Sequence, residues 1–235
     1  MSIFRFKQFS VDQTNCTMKI NTDGVLLGAI TRAETPKTIL DIGTGTGVIA
    51  LMLAQRFPDA QIDAVEIDMS SAETAKQNFN NSVFADRLQI YPTSIQNFWL
   101  QKQHQQYDLI VSNPPFYLDT LTSPKENKTL AKHAEIGFFE ELINNIPDFL
   151  SAKGNFSLIL PVKTASAIKI MADGKLFLNQ EISVFSFEND QPHRQVLSFA
   201  LNQTKTKHTS FTIYKSQKVY SDEYQNLLKQ FLTIF

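Results

Sequence analysis

From Thr38 to Leu201 short apolar runs alternate with helical patterns, and this alternation constrains the fold more than any other feature of the chain. Parallel strands need a crossover that returns the chain to the same edge, so such alternation builds α/β proteins around a largely parallel sheet. The pattern predicts buried strands at TILDI (38–42), QIDAVEI (61–67), RLQIY (87–91), YDLIVSN (107–113) and NFSLILP (155–161). VIALMLAQRF (48–57) reads as a helix stopped by Pro58 and Asp59, and a short helix is expected around Ile95–Leu100. Ser70 and Glu73 have capping-box spacing and open a helix to about Asn81. FFEELINNIPDFL (138–150) is a further helix, turned by SAKG, and TASAIKIMADG (164–174) another, with Gly174 near its C-cap. EISVFSF (181–187) and QVLSFAL (195–201) are separated by a polar stretch containing NDQPHR, too short for a crossover helix, so they are antiparallel neighbours. The expectation is a doubly wound, Rossmann-like α/β sheet of seven strands, mostly parallel with one antiparallel strand, and helices on both faces.

A length of 235 residues suits one generous domain. We divide it into an N-terminal cap and substrate segment (1–37), a core (38–201) and a basic tail (202–235) holding a strand-like SFTIY (210–214) and a helix from about Asp222 to Phe231. No stretch approaches the roughly 18 consecutive apolar residues of a membrane helix, and Arg5, Lys7 and Asp12 interrupt any signal-peptide core. Cys16 has no cysteine to pair with, and four scattered histidines supply no metal-ligand spacing. A cytoplasmic protein without a structural metal is expected. The net charge of −1 argues at first against a polyanionic partner. Resolved along the chain, however, residues 1–22 carry +2, residues 23–190 carry −7 and residues 191–235 carry +4. An acidic body with basic ends is compatible with a polyanion bound at one edge, and equally with solvated faces.

Asp41-Ile-Gly43-Thr-Gly45-Thr-Gly47 follows the first predicted strand and opens a helix. Glycines there let backbone approach a ligand where side chains would clash. Glu66, at the end of the next strand, is placed to accept hydrogen bonds from both hydroxyls of an unphosphorylated ribose. Asp41 is placed to hold the loop or to accept from a ligand ammonium group. Three spaced glycines alone also fit a turn in other α/β proteins, but with Asp41 and Glu66 the combination resembles the S-adenosylmethionine site of class I methyltransferases. That resemblance implies a cofactor-adenine contact after the third strand, where Ser94 stands in place of the family's usual acid.

Asn113-Pro114-Pro115-Phe116 ends the fourth strand, the edge at which open α/β sheets bind ligands. The prolines fix φ and remove donors, so Asn113 and the Pro114 carbonyl are rigid acceptors. An exocyclic base amine or an amide nitrogen is a poor nucleophile because its lone pair is delocalised. Two acceptors on its N–H bonds would stabilise the charge that develops on nitrogen and aim the lone pair at a methyl donor. Phe116 would stack on the planar substrate. In isolation the same residues also read as a turn with a core phenylalanine. The motif resembles those of adenine-N6 and guanine-N2 methyltransferases and of enzymes that methylate release-factor glutamine.

The segment 4–29, FRFKQFSVDQTNCTMKINTDGVLLGA, together with Pro192-His193-Arg194 and the tail from Tyr220 to FLTIF, resembles the bacterial tRNA1(Val) adenine-N6 methyltransferase family over the whole chain. The resemblance implies methyl transfer from S-adenosylmethionine to N6 of the adenine just 3′ of the anticodon, position 37 of a valine-accepting tRNA. Asn21-Thr22-Asp23-Gly24 has N-cap chemistry, and Thr22 and Asp23 either lie over the methionine end of the cofactor or simply cap a helix. Lys205, Lys207, Lys215 and Lys218, interleaved with Phe211 and Tyr214, suit an RNA backbone with stacking bases, and equally a protected edge strand. Arg194 could join them, and Lys128 and His133 in the stretch 114–137, read as a long loop, could close over the substrate. His133 and Glu135 are given no acid–base role. Rival readings are methylation of ribosomal RNA or DNA, methylation of a release-factor glutamine, and a non-catalytic RNA-binding protein of the same fold. The 37 residues before the first strand are too few for the helical N-terminal domain of release-factor enzymes.

Overall fold

The computed structural model describes residues 3–16, 18–114 and 125–235, with the side chains of 125–135 outside the description. In chain order, a hairpin of β1 (Ile3–Arg5) and β2 (Ser10–Asp12) leads to α1 (Thr22–Ile30). Then come β3 (Thr38–Ile42), α2 (Val48–Arg56), β4 (Gln61–Glu66), α3 (Met69–Asn80), β5 (Leu88–Pro92) and α4 (Ile95–Gln101). These are followed by β6 (Tyr107–Ser112), α5 (Lys125–Phe149), β7 (Leu150–Pro161), α6 (Val162–Ala172), β8 (Phe177–Phe185) and β9 (Arg194–Ala200). The tail forms β10 (Lys207–Thr212), the short pair β11 (Tyr214–Ser216) and β12 (Val219–Tyr220), and α7 (Asp222–Leu228).

The main sheet runs β10-β8-β9-β7-β6-β3-β4-β5, and β9 alone is antiparallel to its neighbours. It therefore has eight strands where seven were expected. The tail segment that looked like an isolated strand over 210–214 instead pairs parallel to β8 over Lys207–Thr212 and extends the sheet. Because the chain passes from β3 outward to β4 and β5 and then resumes at β6 on the other side of β3, the strand order reverses between β3 and β6. That reversal opens a crevice at the carboxyl ends of these strands.

Alternate residues of the central strands enter opposite cores, as strands buried on both faces must. Ile39, Leu109 and Val111 pack with α1, α2, α3, α7 and the hairpin residues Phe6, Phe9 and Val11. Leu40, Ile42 and Ile110 pack with α4, α5 and α6. Helices thus cover both faces. The hairpin is pinned to the tail: Phe6 bridges to Leu232, the Lys7 N–H donates to the Phe231 carbonyl at 2.7 Å, and Lys7 Nζ donates to the carbonyls of Lys229 and Phe235.

Several boundaries differ from expectation for identifiable reasons. Asp68, not Ser70, caps α3, accepting from the Ser71 N–H at 2.8 Å, because the helix starts two residues earlier than the capping-box spacing implied. Ser70 Oγ instead donates to the Asn15 carbonyl. The second half of the presumed loop 114–137 is the start of α5, a stretch of Lys, Glu, Asn and Ala with no proline before Pro147. SAKG does not turn the chain into a new strand but bulges within β7, whose Leu150 faces Tyr107 and whose Asn155 faces Leu109. Gly154 is needed there, since a Cβ would lie 2.8 Å from the Tyr107 carbonyl oxygen. β8 begins at Phe177, earlier than the predicted Glu181. Among the described residues no helix is long and apolar enough to cross a membrane, and no three His, Cys, Asp or Glu side chains are grouped to hold a metal ion.

Candidate active site

The turn from β3 to α2 carries three left-handed glycines, with φ of 72° at Gly43, 56° at Gly45 and 82° at Gly47. L-side chains pay to adopt that conformation, which is why glycine recurs at alternate positions. The N–H groups of Gly43 and Thr44 donate to the Val65 carbonyl at 2.9 and 3.1 Å, tying the turn to the end of β4. Glu66 completes the tie: Oε2 accepts from the Gly45 N–H at 2.8 Å and Oε1 from the Asp68 N–H at 2.9 Å. Asp41 lies beneath the turn, fully buried, and accepts from Thr44 Oγ1 at 2.6 Å. Burial pushes its carboxyl up to about 7, against the opposing pull of the Thr44 hydroxyl and the Ala50 N–H at the start of α2.

Above the turn lies a cavity of about 400 Å³. Its floor is residues 43–46; one side is Glu66, Ile67 and Asp68, and the far end is Thr93, Ile95 and Gln96. Ser112, Asn113 and Pro114 form the opposite side where β6 ends. A Cβ on Gly43 or Gly45 would meet no atom within 4 Å, so both face open space; one on Gly47 would strike the Phe79 ring at 2.5 Å. The roof is a strap of N-terminal chain, Met18 to Asn21, continued by Gly24 of α1. A Cβ on Gly24 would lie 3.5 Å from Asn113 Nδ2, so the strap side and the β6 side of the cleft meet there.

The strap is fixed at several points. The Ile20 N–H donates to Gln13 Oε1 at 2.8 Å, and Asn21 Oδ1 caps α1 by accepting from the Gly24 N–H at 2.9 Å. Upstream, the Asn78 side chain accepts from the Asp12 N–H at 2.8 Å and donates to the carbonyls of Asp12 and Thr46, both at 2.9 Å. One buried carboxamide from α3 thereby holds both the strand leading into the strap and the glycine turn.

Gly43, Gly45, Glu66, Asn113 and Pro114 thus line one cavity at this end of the sheet, while Asp41 and Gly47, expected beside them, support the turn without lining it. Other expected site residues are distributed differently. Thr22 and Asp23 open α1 but do not line the cavity, whereas Asn21 and Gly24 on either side of them do. Asp23 Oδ2 accepts from Arg194 Nε at 2.7 Å, so two residues predicted for separate roles are ion-paired. Ser94 caps α4, accepting from the Asn97 N–H at 3.2 Å, while its neighbours Thr93 and Ile95 face the cavity. Arg194 sits beside Pro161 and Val184, at the cleft edge of the sheet.

Lys215 lies in the β11–β12 hairpin at that same edge. Lys207 pairs with Gln180 near the start of β8, so it and Lys205 lie toward the opposite edge. Phe211 is buried and does not offer a ring to a base, while Tyr214 stacks on Tyr220 at 5.1 Å and Tyr220 on Tyr224 at 4.8 Å. Pro115 and Phe116 lie outside the described residues; Lys128 and His133 lie on α5, with their side chains outside the description. The strap residues Met18, Lys19 and Ile20 and the ring of Phe138 line the cavity without having been singled out in the sequence. No periodicity marks a strap.

Residues 17–166 match the family model for the methyltransferase small domain. The chain belongs to this family. The tRNA1(Val) (adenine(37)-N6)-methyltransferase of Pedobacter heparinus is 45% identical over 233 residues, 99% of this chain and 98% of that protein. The protein of the same name from Christiangramia forsetii is 41% identical, covering 97% and 96%. Among solved structures, a predicted O-methyltransferase from Agrobacterium tumefaciens overlays with a TM-score of 0.69 at 15% identity, covering 89% of this methyltransferase and 96% of the other chain. At that identity the likeness is one of fold.

Proposed function

We propose that this methyltransferase transfers a methyl group from S-adenosylmethionine to the N6 amine of adenine 37, beside the anticodon of a valine-accepting tRNA. The name shared by its full-length relatives supports the substrate. The observation that carries the chemistry is the placement of Asn113 and Pro114 at the end of β6, across the same cavity from Glu66 and the open glycine turn. The donor set suits the cofactor: Gly43 and Gly45 leave room for close backbone approach, and each Glu66 oxygen keeps a lone pair for a ribose hydroxyl.

S-adenosylmethionine supplies a sulfonium-bound methyl, an electrophile that needs no activation. The task left to the protein is to restore nucleophilicity to an amine conjugated with its ring. Asn113 Oδ1 and the Pro114 carbonyl accept the two N6–H bonds, stabilising the positive charge that grows on nitrogen as it attacks. The extra proton leaves to solvent after transfer, so no general base is assigned. Phe116 stacks on the extruded adenine.

Lys215 and Arg194 at the cleft edge, with Lys128 and His133 of α5, meet the phosphates of the anticodon loop. Lys205 and Lys207 lie roughly a strand length away, about 20 Å, within reach of the stem that continues from that loop. Action on tRNA supports a cytoplasmic location. Mass spectrometry of tRNA from a deletion strain, before and after incubation with the protein, tests the proposal. One adenine should lack N6-methyl and regain it; methyl appearing instead on ribosomal RNA or on a protein would overturn the substrate assignment.

A further inference from the structure

Among the charged side chains that line the cavity, Lys19 differs from the rest. Glu66 is engaged by two backbone N–H groups, and Asp68 caps α3. Lys19 is the single cation of the lining, is exposed, and has no hydrogen bond or ion pair among the described residues, not even with the two acids that share the cavity. Its neighbours are held firmly. The next residue, Ile20, is bonded through its N–H to Gln13, and the one after it caps α1. Lys19 therefore belongs to the cavity lining beside backbone that is held in place, and its ammonium group is bonded to no described residue of that lining. A lysine on an ordinary solvated face would show the same freedom, but it would not line a cavity and be followed directly by two residues held by hydrogen bonds.

The cavity also has a direction. Glu66 marks the place for a ribose, and Asn113 with Pro114 marks the place of methyl transfer. Whatever extends beyond the sulfonium runs under the strap, where Gly24 approaches Asn113. On the reading of the cofactor given above, that extension is the amino-acid arm, and its α-carboxylate is the one anionic group the cofactor brings.

We infer that Lys19 is the residue that holds the α-carboxylate of S-adenosylmethionine, so that the N-terminal strap recognises the amino-acid end of the cofactor. The inference rests on the cofactor assignment above and adds to it a binding role for a residue that neither the glycine turn nor the β6 motif contains. An ammonium-to-carboxylate contact in a partly enclosed cleft is stronger than a neutral hydrogen bond, and its loss weakens binding about tenfold.

The test is calorimetric and needs no RNA. S-adenosylhomocysteine, which keeps the carboxylate, and 5′-methylthioadenosine, which lacks the whole amino-acid arm, are titrated into the parental protein, Lys19→Met and Lys19→Arg. Expected results are a loss of about tenfold in affinity for S-adenosylhomocysteine with Lys19→Met, substantial retention with Lys19→Arg, and unchanged affinity for 5′-methylthioadenosine in both. The melting temperature should be unchanged, since the side chain makes no hydrogen bond or ion pair with a described residue. Equal affinity of the parental protein and Lys19→Met for S-adenosylhomocysteine would overturn the inference. So would an equal loss for both ligands, which would make Lys19 a general wall residue. If the parental protein bound neither nucleoside, the cofactor assignment itself would fail, a result distinct from all of these.

Discussion

Replacing Gly43 and Gly47 separately by alanine should separate two costs that the glycine turn combines. Both residues have a left-handed backbone, at φ of 72° and 82°, so each alanine pays about 1–2 kcal/mol for that conformation. The spaces their Cβ atoms would enter are opposite in kind. At Gly47 the new carbon would sit 2.5 Å from Phe79 Cε1 and 3.0 Å from Cζ, and Phe79 is a fully buried ring of α3 with nowhere to retreat. Overpacking of that sort adds about 1–3 kcal/mol, for a total near 2–5 kcal/mol. At Gly43 no atom lies within 4 Å, so stability loses only the backbone term, but the methyl group stands in the space a cofactor would fill. Urea denaturation should therefore rank Gly47→Ala well below Gly43→Ala. Calorimetry with S-adenosylhomocysteine should show at least a tenfold weaker affinity for Gly43→Ala, about 1.4 kcal/mol, in a protein that remains folded. Equal destabilisation by the two substitutions, or full cofactor affinity in Gly43→Ala, would refute the assignment of one glycine to packing and the other to ligand approach.

Asn113→Ala should lower methyl transfer to tRNA by about a hundredfold or more while S-adenosylhomocysteine binding stays near the parental value; transfer at the parental rate would remove Asn113 from the chemistry. Phe116→Ala should cost more activity than Phe116→Tyr, because a phenol still stacks, and equal losses in single-turnover assays would count against stacking. Asp41 gives the protein a pH dependence of known sign. Its carboxyl is raised from 3.8 to about 7, so between those values the folded chain holds a proton that the unfolded chain has released. Stability from this group therefore falls as pH rises through that window, by about 2–3 kcal/mol between pH 5 and pH 8. Asp41→Asn should flatten the difference in urea midpoint between those two pH values, and an unchanged difference would assign it to other groups.

The central strands were legible because burial on both faces makes each of them a short, nearly unbroken apolar run, as in TILDI and LIVS. The turn glycines and Glu66 were legible because their chemistry is local to the strand ends that carry them. What escaped was set by tertiary partners. β10 is an edge strand of exposed residues over most of its length, and only its pairing with β8 declares it. The bulge at SAKG carries the turn chemistry of a loop, and its place inside β7 depends on the approach of Tyr107. The strap is irregular backbone whose position depends on Gln13 a few residues upstream and on Asn78 and Ser70 across the fold, so nothing in MKI itself signals a cavity wall. The same reason split the tail lysines: spacing in the sequence put Lys205 and Lys215 together, and the direction of β10 set them toward opposite ends of a strand.

The joining of the hairpin to the tail imposes an order on biosynthesis. Residues 3–9 are synthesised more than two hundred residues ahead of residues 229–235, yet their backbone bridge at Phe6 and the bonds of Lys7 require that later segment. Since the strap begins a few residues beyond that hairpin, the nascent chain can pair β3 to β7 before it can pin down the hairpin that leads into the roof of its own cavity. A chain stalled short of residues 229–235 would carry the glycine loop and Asn113 beneath a strap held only by Gln13, Asn78 and Ser70, with the hairpin before it unpinned.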